Sequence, residues 1–148
     1  MPSNFMIRNN VIRDNPVAAA VTGFAGNASI AIYAGTKYPS DARLMRGFRV
    51  EGNTIINPSV YGICIRNAEN VSIRYNRIVN PGAQVLEGMY NGRPIADLYA
   101  AICLDAVSHA VVSDNEIIFG NPRCRRAVLV EPNCDVNTVR VEKTHAPY

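Results

Sequence analysis

The stretch FRVEGNTIINPS at residues 48–59 recurs in altered form as VSIRYNRIVNPG at residues 71–82. Each copy has two apolar residues two apart, then an asparagine, a polar residue, an isoleucine and a closing Asn-Pro. Anchored on the central asparagine, the phrase ends at Asn10 (FMIRNN), Asn53 (FRVEGN), Asn76 (VSIRYN) and Asn115 (AVVSDN). A weaker copy, VRVEKT, sets Thr144 in the asparagine position. The intervals are 43, 23, 39 and 29 residues, so the unit is the shortest of these and insertions lengthen the others. Between the copies lies a second phrase: SIAIYAG, GICIRNA, AICLDAV and AVLVEPN. Both phrases alternate apolar with variable residues and are rich in Ile, Val and Leu, which reads as strand; helical spacing fits none of them. The unit is therefore strand, turn, strand, asparagine corner, strand, turn. Repeated in one direction, it stacks as rungs of parallel sheet about 4.8 Å apart. An asparagine suits the corner because it tolerates left-handed backbone geometry. Its stacked amides can also hydrogen-bond up the column.

Composition narrows the class. With 148 residues, 48% apolar and 18% charged, the chain can bury a core and reads as one globular domain, residues 1–148. No apolar run reaches the length of a bilayer span, and MPSNFMIRNN lacks the layout of a signal peptide, so no membrane partner is expected. The net charge of +3 is dispersed. RCRR at 123–126 is too small for a nucleic-acid footprint and reads as a solvated turn. Cys64 and Cys103 lie 39 residues apart, and Cys124 and Cys134 lie ten apart without histidines beside them, which is no zinc spacing. No metal or cofactor is expected. Four thiols suit a reducing compartment and two bridges an oxidising one, so localisation stays open.

Strand side chains alternate between faces, which sorts the repeat into columns. Before the corner, Phe48, Val50, Val71, Ile73, Ala110 and Val112 point inward. Arg8, Glu51, Arg74, Ser113 and Glu142 then stand outside, with alternating charges suited to structural cross-strand pairing. After the corner, Ile12, Ile55, Ile78 and Ile117 point inward, and Arg13, Ile56, Val79 and Ile118 outward. Stacked aliphatic residues on an outer face need a cover. Either the insertion beginning at Pro81 supplies it, or Ile56, Val79 and Ile118 meet a second copy or a neighbouring domain. In the remaining strand, Ile30, Ile32, Ile63, Ile65, Ile102, Leu104, Val128 and Val130 fill the interior. Outside stand Ala31, Cys64, Cys103 and Leu129, then Tyr33, Arg66, Asp105 and Glu131. Cys64 and Cys103 fall on adjacent rungs, within the disulfide range of about 4.4–6.8 Å between Cα atoms. Parallel geometry need not suit the torsion, and two free thiols are expected. His109 and His145 read as surface residues and Asp114 as a turn residue.

Three-strand rungs with an asparagine corner resemble the right-handed parallel β-helix of the pectin-lyase-like superfamily over essentially the whole chain. The resemblance implies an all-β solenoid of about four rungs of three short strands, with two long loop insertions at 34–47 and 81–100. Its message about function is weaker, because the superfamily includes polysaccharide lyases, glycoside hydrolases, epimerases, phage tailspikes and noncatalytic repeats. It also implies a cleft along the sheet that holds Tyr33, Arg66, Asp105 and Glu131, walled by the two insertions. A polysaccharide or oligosaccharide would lie there against Tyr33, Tyr38, Tyr90 and Tyr99. Asp105 and Glu131 on neighbouring rungs suit an acid beside a base. Retaining glycosidases hold such carboxyl groups about 5–5.5 Å apart, close to one rung. Arg66 would hold a substrate carboxylate or, in a lyase, resemble the arginine that abstracts a proton. The competing reading is a solvated column in which Arg66 pairs with Asp105 while Glu131 faces water. Too few carboxylates converge for calcium.

Repeat strands lie near both ends without an amphipathic helix to cap them, and open edges of this kind are normally covered. Four rungs span only about 20 Å. The chain thus reads as part of a larger β-helix, or as a subunit that stacks or associates sideways. Two functions follow. One is a carbohydrate-associated domain, polysaccharide-degrading through Asp105, Glu131 and Arg66. The other is a noncatalytic module that binds glycan or assembles.

Overall fold

Wherever a repeat phrase occurs, its Val, Ile and alternating polar residues form strand. The computed structural model describes residues 3–15, 28–33, 45–90 and 92–144. Its strands before the second insertion are β1 (Ser3–Arg8), β2 (Val11–Asn15), β3 (Ala28–Tyr33), β4 (Met45–Glu51), β5 (Thr54–Pro58), β6 (Tyr61–Arg74) and β7 (Arg77–Val79). A small hairpin, β8 (Met89–Tyr90) and β9 (Arg93–Pro94), is followed by a 3-10 turn at Ile95–Asp97. Then come β10 (Ile102–Ser113), β11 (Glu116–Ile118), β12 (Val128–Val130) and β13 (Val139–Glu142). The fold is all-β with parallel sheets. None of its helices is long and apolar enough to cross a membrane among the described residues.

The strands form three parallel ladders. In one, β1, β4, the later half of β6, the later half of β10 and β13 follow one another. In the next, β3, the first half of β6, the first half of β10 and β12 do so. The third runs β2, β5, β7, β11. Among the described strands, only β8 and β9 pair antiparallel. β6 and β10 belong to two ladders because each bends midway, at residues held in the left-handed region. Asn67 and Ala106 are one such level (φ 59° and 53°), and Asn70 and His109 another (56° and 53°). β6 and β10 thus each run on through a corner and pair in two parallel ladders.

The asparagine corner works differently from the expectation. The left-handed residue is the one before the central asparagine: Asn9 (φ 56°), Gly52 (67°), Tyr75 (59°), Asp114 (55°) and Lys143 (44°). Asn10, Asn53, Asn76 and Asn115 are not in that region. They act through their amides. The Asn76 side chain donates to the Val50 carbonyl (2.8 Å) and to Asn115 Oδ1 (3.0 Å), while its own Oδ1 accepts from the Asn53 backbone N–H (3.0 Å) and Nδ2 (2.9 Å). Asn53 repeats the arrangement toward Asn10, and Asn115 reaches the Ile73 carbonyl (3.0 Å) and, weakly, Thr144 (3.5 Å). Buried backbone groups at the corner are thus satisfied by side chains of the same column.

A second amide column explains the closing Asn-Pro. Asn57 donates to Asp14 (2.7 Å), Asn80 to Asn57 (2.9 Å) and Asn121 to Asn80 (2.7 Å). Here the side chains do sit on left-handed backbone, with φ of 51° at Asp14, 55° at Asn57 and 54° at Asn80. Proline then follows because it cannot continue the ladder with an N–H.

Inside the ladders lies one apolar cluster. The inward columns deduced from parity are buried there: Phe48, Val50, Ile55, Ile63, Ile65, Val71, Ile73, Ile78, Ile102, Leu104, Ala110, Val112 and Ile117. On the outside, Arg8, Glu51, Arg74, Ser113 and Glu142 are in register as expected. Their expected charge pairing does not form among the described residues. Charge pairs close instead at in-register Arg46–Glu69, Arg66–Asp105 and Arg77–Glu116. Exposed pairs are worth at most about 1 kcal/mol, so being in register is not enough to close one. Ile56, Val79 and Ile118 stack in register and are half-buried. The insertion after Pro81 packs elsewhere, and none of the three belongs to either apolar cluster.

Replacing Asn76 by alanine should destabilise the protein by about 2–4 kcal/mol, because it strands several buried backbone and side-chain partners at once. Tyr75→Gly, one residue earlier, should stabilise it by about 1 kcal/mol by relieving a bulky residue at positive φ. Urea denaturation of both variants checks the pair, and equal effects of the same sign would contradict this division of labour.

Candidate functional site

The face holding Cys64, Cys103 and the polar strip is shaped by a local irregularity and by the second insertion. Gly62 and Ile63 both donate to the Ala101 carbonyl (2.8 and 3.1 Å), a two-against-one pairing that makes a bulge. A Cβ on Gly62 would lie 2.9 Å from Ile78 Cγ2, so only glycine fits facing the core there. The bulge reverses the parity of the strand start and turns Tyr61 outward, onto the cysteine face. Tyr61 was invisible to alternation counting, which places it inward with Ile63 and Ile65.

The insertion at 81–100 then covers that face. Leu86, Ile95, Leu98, Tyr99 and Ala100 pack with Val60, Tyr61, Cys64, Cys103 and Cys124 in a second buried apolar cluster. Tyr99, expected to stack on a sugar, is 4% exposed. Its hydroxyl donates to the Gln84 carbonyl (2.7 Å) and accepts from the Leu86 N–H (3.0 Å), so the ring braces the insertion from within. The backbone of Tyr90 lies in the β8–β9 hairpin opposite Arg93, and that of Tyr33 pairs with Arg66. Tyr38, most of the first insertion and His145 lie outside the described residues. Of the four tyrosines, Tyr99 is the one whose side chain is described, and it lies buried within the insertion. His109 is exposed, as expected.

The charged residues do come together. Arg66 and Asp105 are in register, with Arg66 Nε 3.3 Å from Asp105 Oδ2. The Glu131 N–H bonds the Leu104 carbonyl (2.9 Å), which seats Glu131 on the next level. Glu131 does not face water as the competing reading expects. Arg93, from the insertion hairpin, reaches it at 2.9 Å, and the residue is 6% exposed. Glu131 Oε1 is buried without a hydrogen-bond partner. The result is two arginine–carboxylate pairs in one strip. The carboxylate side chains are 11% and 8% exposed, and the guanidinium-bearing chains of Arg66 and Arg93 are 33% and 42% exposed. Sequence reading missed Arg93 because it sits in an insertion, outside the repeat's parity.

Beneath the strip, Cys64 and Cys103 are in register, free and fully buried. Tyr61 packs with both thiols in the second apolar cluster. Burial first, then the neighbouring thiols and Glu131, pushes the Tyr61 phenol far above its ordinary value. Burial first, then Cys64 and the Glu131 and Asp105 charges, pushes the Cys103 thiol well up. These groups are packed neutral donors rather than nucleophiles. No three His, Cys, Asp or Glu side chains converge in a metal-binding group among the described residues. No protein-family model, curated protein or solved structure matches the chain.

The raised groups set the response to alkali. Tyr61, Cys103, Cys124 and Cys134 are all shifted upward, with burial the leading cause in each. Each keeps its proton when folded and loses it more readily when unfolded. Stability is therefore complete below the unfolded values, about 8.5 for Cys and about 10 for Tyr, and falls as pH rises past them. Under reducing conditions, urea midpoints should drop from about pH 8.5 upward, and Tyr61→Phe should flatten the added fall above about pH 10. Midpoints unchanged up to that range, or an identical slope in Tyr61→Phe, would contradict the assignment.

Proposed function

We propose that the chain is a right-handed parallel β-helix domain that binds carbohydrate along the Arg66–Asp105–Glu131–Arg93 strip without degrading it. Three parallel ladders, left-handed residues recurring at the same level of each passage and two amide columns support the β-helix reading. Among these, the arrangement of the strip carries the functional one. Two half-exposed guanidinium chains stand over carboxylates that hold them in place. A ligand meets the N–H donors first. Fixed planar donors suit the oxygen atoms of sugar hydroxyl or carboxylate groups, and the buried partners keep them preorganised. Acid–base cleavage requires a carboxyl group within hydrogen-bond reach of the scissile oxygen. Asp105 and Glu131 are nearly closed off from solvent, which favours binding over turnover.

A second reading rests on Ile56, Val79 and Ile118, three stacked half-buried aliphatic residues outside both apolar clusters. On that reading the same domain associates sideways with a second copy through this stripe.

The test is binding and turnover across acidic and neutral polysaccharides, comparing wild type with Arg66→Gln/Arg93→Gln and with Asp105→Asn/Glu131→Gln. Saturable binding without product, weakened at least about tenfold in the arginine variant, is the expected result. Product release by wild type that is lost in a folded Asp105→Asn/Glu131→Gln protein would make the strip an active site and overturn the binding-only reading. Absence of binding together with a concentration-dependent dimer abolished by Val79→Glu would select the assembly reading.

A further inference from the structure

The arginine-rich turn at 123–126 is not simply a solvated loop. Arg123, Arg125 and Arg126 line one cavity of about 530 Å³ together with Ala96, Asp97 and Tyr99 from the second insertion. This cavity is built from other residues than the Arg66–Asp105–Glu131–Arg93 strip.

Several contacts hold the turn in place. Asn121, the top of the Asn-Pro amide column, donates to Asn80 Oδ1 (2.7 Å) and to the Pro81 carbonyl (2.9 Å). Its own Oδ1 accepts from the N–H groups of Arg123 (2.9 Å) and Cys124 (3.3 Å). Cys124 is buried, and the Arg126 carbonyl accepts from the Ala101 N–H (3.1 Å). Even the Arg123 side chain is fixed, with Nε donating to the Gly82 carbonyl (3.1 Å) and Nη2 to the Ala83 carbonyl (3.2 Å). A guanidinium has five N–H donors, so part of the Arg123 fork remains free after those two bonds.

Charge makes the cavity selective. Arg46, Arg66, Arg77 and Arg93 are each paired with a carboxylate. Arg123, Arg125 and Arg126 form no ion pair among the described residues, and Asp97 is the one carboxylate in the lining given above. Three cations against one anion, on a turn whose backbone is pinned by the fold, leave an excess of positive charge around a space large enough for a ligand. Guanidinium groups favour oxyanions, to which they can bond bidentately.

We propose that this cavity binds an oxyanion: a sulfate, phosphate or carboxylate group, free or carried on a small molecule. A nucleic-acid backbone fits the observations less well. It needs cations spread along a track, whereas these three converge on one cavity and the net charge of the chain is only +3.

Calorimetric titration of the intact chain with inorganic sulfate, inorganic phosphate and citrate, and separately with a single-stranded oligonucleotide, tests the site. Wild type should bind at least one of the three anions saturably at one per chain. Arg125→Gln/Arg126→Gln, at two exposed positions, should weaken that binding at least about tenfold. Arg140→Gln, an exposed arginine on β13, should leave it unchanged. No saturable binding by wild type, or equal weakening by Arg140→Gln, would overturn the proposal. Oligonucleotide binding whose salt dependence reports several phosphates would overturn the choice of a single oxyanion. Because the strip variants Arg66→Gln and Arg93→Gln lie outside the cavity lining, glycan binding and anion binding can fail separately.

Discussion

Parallel ladders that turn a corner every few residues create a problem of unsatisfied backbone groups. Strand hydrogen bonds run between levels, but at the corner the chain leaves the ladder while still packed against the core. In this protein the carboxamides of Asn53, Asn76 and Asn115 supply the missing partners. Each receives an N–H from the asparagine below and returns a donor to a strand carbonyl of the neighbouring level. The polar column runs through a region otherwise filled by fully buried Ile55, Ile73, Ile78 and Ile117. A single amide broken there exposes its neighbours to the full desolvation penalty, which makes the column cooperative and specifies the register between levels.

Once the register is fixed, the outer faces follow, and the insertions decide what those faces do. The bulge at Gly62 and the apolar residues Leu86, Ile95, Leu98, Tyr99 and Ala100 of the second insertion bury Tyr61, Cys64 and Cys103. The edge of that cover meets the polar strip through Arg93. The same burial that leaves two carboxylates nearly closed off also sets the two guanidinium groups in place. Structure and proposed binding therefore depend on one set of contacts, and the strip has no spare charge of its own. The arginine turn differs on this point, since the Arg123 guanidinium is held by the Gly82 and Ala83 carbonyls rather than by a carboxylate.

Much of the fold was legible in the sequence because period-two alternation and a repeated Asn leave little choice of register. The inward columns from Phe48 to Ile117 and the pairing of Cys64 with Cys103 could be counted directly. The left-handed position could not, since Tyr75 and Lys143 occupy it as well as Asn9 and Gly52. No composition rule singles out a tyrosine there. Nor could counting find Tyr61, whose face changes at a bulge. Glu131 was placed correctly on its level, but its burial depends on Arg93, and insertions obey no repeat. The sugar-stacking role expected of Tyr99 overlooked that an aromatic ring in an insertion can serve to fold the insertion.

Native-state hydrogen exchange at the backbone amides of Asn53 and Asn76 tests the central claim most directly. Both amides donate to the side chain of the next asparagine, at 3.0 Å in each case, and both residues are 1% exposed. If the amide column holds the levels together, these two protons exchange only through global unfolding, as slowly as those of the central strands. Exchange through local opening, at free energies well below that of unfolding, would contradict the account and reduce the column to a consequence of the ladders around it.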